Sequence, residues 1–409
     1  MSHSLRFATK FANTGARDIL ARDRARAQKL LAGIQPHGPA AYHAHELRTR
    51  GAHHRKHAAT APHSAASAAA GDTIDVTDAA VTYTASVGVG SPATDFTLLI
   101  DTGSSNTWVG ADKKYTKTKT SKSTNKKVNV SYGSGSFSGT EYTDEVTLSS
   151  ALVIPTQSIG VASTAQGFDG VDGILGIGPV DLTDGTVSGT TNVPTVTDNL
   201  FRQGTIATES IGIFYEPSTS AESVANGELT FGGVDTTKIT GDVSYVPITS
   251  TSPASQYWGI DQSVSYGDST TILDSTAGIV DTGTTLVLIA TDAFQAYQKA
   301  TGAKLDQTTG LLTVTEAQFN NLQSLFFNIG GVSYELSANA QIWPRALNSQ
   351  LGGSADTIYL VVSDLGSQSG QGLDFINGFT FLQRFYSVYD VTNSQVGLAT
   401  TAFTDAETN

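Results

Sequence analysis

Two aspartates, Asp101 and Asp281, stand in the same local setting 180 positions apart. Residues 98 to 105 read Leu-Leu-Ile-Asp-Thr-Gly-Ser-Ser, and residues 278 to 285 read Gly-Ile-Val-Asp-Thr-Gly-Thr-Thr. A carboxylate just past an apolar strand is partly desolvated. Two such groups brought together cannot both ionise cheaply, so they share a proton and serve as acid and base in one device. The flanking residues fit that chemistry. Gly103 and Gly283 let backbone amides approach the carboxylates, and Thr102 and Thr282 offer hydroxyls that can tie the two turns together. Ser104 and Thr284 can donate to the outer carboxylate oxygens. One Asp-Thr-Gly is an ordinary turn; two in matched context point to a site.

The inventory of the rest of the chain narrows the chemistry. There is no cysteine, which excludes disulfides, thiol catalysis and cysteine-based metal sites. All eight histidines lie between His3 and His63, so a Ser-His-Asp hydrolase, a His-Glu zinc protease or a histidine base beyond Gly71 is excluded. No metal and no cofactor are expected.

The elements that must position the two aspartates are mostly strands. At 409 residues the chain is long enough for two domains, and its abundance of Ser, Thr and Gly with few strongly helical stretches favours β structure. Alternating residues at 81–90, a turn at Ser91-Pro92 and a strand running into Asp101 open the body. A Lys-rich stretch at 113–127 reads as a solvated surface loop, and a hairpin around Tyr132 follows, with glycines at 133, 135 and 139. Asp198 to Gly204 reads as a short helix, as do stretches at about Asp292 to Lys299 and Glu316 to Leu325. No apolar run is long enough to span a membrane.

Charge divides the chain. Residues 1–70 hold 11 Lys and Arg against 3 Asp and Glu, a formal +8, and the remainder holds 13 against 34, a formal −21. Residues 17–32 have apolar positions at helical spacing among cationic ones, and 36–70 is a Pro/His/Ala-rich linker. Opposite charge makes the leader an intramolecular partner of the body rather than a nucleic-acid or membrane contact. It is expected to lie over an acidic cleft with one Lys or Arg near the two aspartates. Met1 to Ala12 shows no apolar core of a secretory signal.

These residues resemble the pepsin family of aspartic endopeptidases, fungal type. The resemblance covers nearly all of 71–409. Besides the two Asp-Thr-Gly turns, Ser131 to Ser136 resembles the family's flap. Phe168 to Gly178, with Asp172-Gly173-Ile174-Leu175-Gly176, resembles its first apolar-apolar-Gly element; Tyr257 to Ile260 and Phe381 to Asp390 resemble its second half. Pairing Asp101 with Gly176 and Asp281 with Gly378 gives an internal repeat. In the second copy Asn377 stands where the family has an apolar residue, which puts the packing under Asp281 in doubt.

The resemblance implies a mostly β, bilobal fold: two homologous β-barrel-like lobes, 71–238 and 239–409, facing a central cleft, with a prosegment and linker at 1–70 cut near Ala68 to Gly71. A dyad sharing one proton is the known device of aspartic proteases. Asp101 and Asp281 are then catalytic, and Tyr132, Gly133, Ser134, Gly135, Trp108, Phe168 and Ile174 form the flap and substrate pockets, with Tyr132 and Trp108 hydrogen-bonded under the lid. Substrates would be proteins or peptides with apolar residues at the cut, and the protein a secreted, monomeric zymogen. Two other readings stay open: a two-carboxylate glycosidase, which needs carboxylates in unlike environments, and a non-catalytic pepsin-like binding protein, expected to lack an Asp or the flap Tyr.

Overall fold

The computed structural model describes residues 2–11, 15–33, 81–133, 135–220 and 224–409. Ser134 and the linker with its expected cleavage region lie outside them. The protein is mostly β and bilobal, built on three sheets.

The leader opens with strand β1 (His3–Phe11) and helix α1 (Ala16–Leu31). The body begins with β2 (Val81–Val89) and β3 (Thr94–Asp101), followed by β4 (Trp108–Val109), β5 (Lys122–Ser131), β6 (Ser136–Ser149), β7 (Leu152–Gln166) and β8 (Gly173–Gly176). Helix α2 (Val196–Arg202) carries a capping box in which the Thr195 hydroxyl and the Asp198 carboxylate each accept a backbone N–H of the other. Then come β9 (Ser210–Tyr215), β10 (Val224–Phe231), β11 (Ser244–Pro247), β12 (Gly259–Tyr266), β13 (Thr270–Val280), β14 (Val287–Ile289) and α3 (Thr291–Thr301). The chain closes with β15 (Lys304–Leu305), β16 (Leu312–Val314), α4 (Glu316–Phe319), β17 (Leu325–Ile329), β18 (Val332–Leu336), β19 (Ile358–Tyr359), β20 (Val362–Asp364), β21 (Phe375–Asn377), α5 (Phe379–Leu382), β22 (Phe385–Asp390) and β23 (Gln395–Thr400).

Two sequence expectations need correction, and one element was not expected. The stretch 113–127 is not all loop: from Lys122 it becomes β5, an edge strand whose lysines keep its free edge soluble. The helix expected to reach Leu325 stops at Phe319, because Leu325 to Ile329 alternates inward and outward and joins the sheet as β17. Residues 3–11, read only for a missing signal, form a strand with Leu5 and Phe7 buried and Ser4 and Arg6 exposed.

A 13-stranded sheet, in the order β11-β23-β22-β9-β10-β1-β2-β3-β8-β4-β7-β6-β5, takes strands from both halves and from the leader. Within it β1 runs antiparallel between β10 and β2, Leu5 opposite Leu229 and Ala8 opposite Thr84. Phe7 packs edge-on against Tyr215, with ring centroids 5.1 Å apart. A 7-stranded sheet, β18-β17-β12-β13-β21-β14-β20, forms the frame of the second half.

Both aspartates leave parallel strand pairs of the same design. In β3 and β8, Ile100 pairs with Leu175 and Asp101 with Gly176; in β13 and β21, Val280 pairs with Asn377. The glycine after each partner is required by close packing. A Cβ on Gly176 would meet the backbone of Ser105 and Asn106, and one on Gly378 the carbonyls of Leu286 and Thr284.

Candidate active site

The two turns are locked to each other before any side chain reaches the cleft. Thr102 N–H donates to Thr282 Oγ1 at 3.1 Å, Thr282 N–H donates to Thr102 Oγ1 at 2.9 Å, and the hydroxyls lie 3.3 Å apart. Both threonines are fully buried, so these bonds are shielded from water. Each carboxylate is then held by its own turn. Asp101 accepts from Gly103 N–H at 3.0 Å and Ser104 Oγ at 2.5 Å; Asp281 accepts from Gly283 N–H at 3.2 Å and Thr284 Oγ1 at 2.7 Å.

Helix α1 of the leader fills the space above them. Arg26 Nη2 donates to Asp101 Oδ1 at 2.5 Å and to Asp281 Oδ1 at 2.8 Å, while its Nε donates to Asp281 Oδ2 at 2.6 Å. One nitrogen therefore touches both carboxylates, which places them face to face. The slot for the guanidinium is cut by three glycines: a Cβ at Gly103 or Gly283 would overlap the Arg26 guanidinium, and one at Gly133 would meet its backbone. Burial alone would push the Asp281 carboxyl up, but the Arg26 charge and hydrogen bond, helped by Thr284 and Gly283, hold it below the ordinary carboxylate range. Burial opposes the charge of Arg26 too, and Asp101 and Asp281 more than offset it.

Two further leader residues grip the site, and the sequence reading identified neither. Asp23, one turn before Arg26, is buried and accepts from Leu286 N–H at 2.8 Å and Thr285 N–H at 3.1 Å. Its carboxyl is pushed up to about 7, first by burial and further by the charge of Asp281, against the pull of those amides and of Arg26. Lys29 donates to the Ser131 carbonyl, and its Nζ lies 5.1 Å from the centre of the Tyr132 ring. Burial, then the charge of Arg26, draws Lys29 down to about 8. A signal existed: Ile19, Asp23, Ala27 and Leu30 recur at helical spacing, so Asp23 is a charge on the buried stripe.

The predicted flap and pocket residues converge beside this contact. Trp108 stacks on Phe137 at 4.2 Å and meets Phe168 edge-on at 4.9 Å; Phe168 meets Tyr132 edge-on at 5.3 Å. Ile174 and Val171 complete the cluster. Tyr132 and Trp108 do come together as expected: among the described residues the Tyr132 hydroxyl and Trp108 Nε1 are buried and stop short of hydrogen-bond geometry, while Trp108 and Ser104 lie close enough to act on the hydroxyl. Gly135 lies against Phe168 and the Gln166 carbonyl, where a Cβ would not fit.

The polar Asn377 has a local explanation. It is buried and pairs with Gln262, likewise buried, through two side-chain hydrogen bonds.

The sequence profile of the eukaryotic aspartyl protease family matches residues 82–401. Polyporopepsin of Irpex lacteus is 67% identical over 342 residues, which take in 83% of this chain and 100% of that protein. Cathepsin E of Rattus norvegicus is 32% identical over 338 residues, 78% of this chain and 79% of that protein. The crystal structure of an aspartic proteinase from Irpex lacteus matches with a TM-score of 0.78 at 68% identity, covering 80% of this chain and 96% of that chain. Matched turns around two facing carboxylates, the bilobal β architecture and these likenesses agree: the chain belongs to the eukaryotic aspartyl protease family and is a pepsin-like aspartic endopeptidase.

Proposed function

We propose that Asp101 and Asp281 are the catalytic dyad of a secreted, monomeric endopeptidase that works at acidic pH and is made as a zymogen. The observation that carries this reading is the Arg26 nitrogen bonded to both carboxylates at once. It needs two acids close enough to share one cation, and by the same geometry one proton or one water. With the leader gone, a water held between them attacks the peptide carbonyl. One carboxylate takes its proton while the other, protonated, polarises the carbonyl oxygen. Thr102, Gly103 and Ser104 with Thr282, Gly283 and Thr284 keep the carboxylates in place.

Residues 1–70 act as the prosegment, the body dividing near 238 into its two lobes. While α1 is docked, Arg26 replaces the attacking water and Asp23 and Lys29 occupy ground that substrate needs. Tyr132, Gly133, Ser134 and Gly135 close over substrate, and Trp108, Phe168 and Ile174 favour apolar side chains at the cut. With a neutral Ser134 in the flap, nothing there offsets the desolvation of a substrate lysine, so lysine is disfavoured before the cut. Secretion rests on the family likeness; among the described residues no helix is long and apolar enough to cross a membrane.

The test is to acidify the full chain and assay denatured casein with and without pepstatin, beside Asp101→Asn and Asp281→Asn. Wild type should shorten by about 70 residues, a length set by the charge boundary, and gain pepstatin-sensitive activity. Each variant should lose about 10²-fold or more, since proton transfer by a positioned group supplies that much. Retention of activity by either variant would refute the dyad.

A further inference from the structure

We propose that Asn377 and Gln262 are a positioning pair for Asp281, acting as one unit to fix the second carboxylate of the site. The inference rests on the reading of Asp101 and Asp281 as the catalytic dyad.

The two halves solve the same problem differently. At equivalent registers beside the aspartate-bearing strands stand Leu175, opposite Ile100, and Asn377, opposite Val280. Both are fully buried. Where the first half places an apolar side chain, the second places an amide. Asn377 Nδ2 donates to Gln262 Oε1 at 2.8 Å, and Gln262 Nε2 donates back to Asn377 Oδ1 at 3.3 Å. Gln262 belongs to β12 and Asn377 to β21, the two strands flanking β13 in the sheet, and β13 runs directly into Asp281. The backbone carbonyl of Asn377 accepts the N–H of Asp281 at 3.2 Å. The amide pair thus spans the two neighbours of β13, and one member is the hydrogen-bond partner of the catalytic residue's own peptide.

Apolar side chains of similar volume would fill this space without direction. A reciprocal amide pair sets distance and orientation, and it penalises any shift of β21 by leaving a buried donor and acceptor unmatched. The two residues are therefore interdependent. Replacing either alone strands the other amide, and relaxation around it displaces the Asn377 carbonyl and with it Asp281. Replacing both removes the conflict.

The test uses the acid-activated full chain, with active sites counted by pepstatin titration. Asn377→Leu and Gln262→Leu are each expected to lower kcat about tenfold or more, because sub-ångström to ångström misplacement of a reacting group costs up to about 10²-fold, with KM little changed. The Asn377→Leu/Gln262→Leu double variant should recover most of the lost kcat. Gln262→Glu supplies a readout that simple packing would not move. While the introduced carboxyl is protonated it can make both hydrogen bonds, and kcat should equal wild type. Once it ionises, it repels Asn377 Oδ1 and places a charge near Asp281, so kcat per titrated site should fall at a pH where wild type is still active.

Single variants with unchanged kcat, or a double variant no better than the sum of the singles, would overturn the pairing. So would a Gln262→Glu pH profile for kcat that matches wild type while only thermal stability changes. If the single variants do not fold, the double variant and Gln262→Glu decide by the same readouts. Asp281→Asn measured alongside separates the two levels: if it stays active, the dyad reading fails whatever the amide pair does.

Discussion

Asp23 and Arg26 lie one helical turn apart and give leader docking opposite responses to pH. Arg26 holds the Asp281 carboxyl low, so this contact contributes fully above the ordinary carboxylate range, about 4, and is lost as pH falls. Asp23 is raised from 3.8 to about 7 on docking, so its contribution is fullest below the lower value and fades as pH rises through the higher one. Asp23→Asn, which keeps an acceptor for Thr285 and Leu286 without the charge, should therefore tighten docking at neutral pH and leave the acid threshold of release unchanged. Hydrogen exchange of α1 amides at pH 7, together with the pH at which the chain shortens, checks both halves of this statement. Arg26→Ala should cost docking roughly 3–5 kcal/mol, the range for breaking a buried ion pair, and full-length chain should then cleave peptide at pH values where wild type is silent. A leader that stays equally inhibitory without Arg26 would contradict its role. Asp101 and Asp281 were legible because the same short pattern recurs after two apolar strands. Arg26 was not, since the leader offers several cations and only the rotation of α1 about its axis selects the one that faces the cleft.

At the scale of elements, β1 and α1 are fitted to the body by shape as well as charge. Gly227 of β10 faces Phe7 so closely that a Cβ there would overlap its ring. Gly227→Ala should thus destabilise the full-length chain by about 1–3 kcal/mol, the usual cost of overpacking, read as a lower melting temperature and earlier exposure of residues 2–33 to an added protease. Phe7→Ala removes the ring instead and should cost about 3–5 kcal/mol through the cavity it leaves. The double variant should be better than Phe7→Ala plus Gly227→Ala, because the overlap vanishes with the ring. β1 escaped the sequence reading since four alternating residues are a weak signal and their apolar face has meaning only once β10 supplies Gly227. The strands into Asp101 and Asp281 were clear because Leu98-Leu99-Ile100 and Ile279-Val280 each run into the same Asp-Thr-Gly turn. The helix placed at 316–325 failed for a related reason: local pattern favoured a helix, and pairing of Leu325 to Ile329 with β12 and β18 overrode it.

At the scale of the molecule, a leader of +8 against a body of −21 suggests an attraction that salt would dissolve. The contacts that matter are mostly sheltered: the side chain of Arg26 is 16% exposed and that of Asp281 0%, whereas Arg24 of the Arg24–Asp364 pair is 40% exposed. Raising salt to about 1 M, where the screening length is about 3 Å, should therefore shift leader release at neutral pH only slightly. Extensive activation by salt alone would mean that surface charge, not the buried grip, holds the leader. The position of β1 also sets the order of events in folding. Ser4 bonds to Glu228 across 224 residues, and the strand between β10 and β2 is supplied by the segment most distant from β10 along the chain. Closing so large a loop is slow. The middle of the largest sheet cannot be completed until β10 has been synthesised, so a leader clipped before then would deprive the nascent chain of the strand that joins β2 to β10.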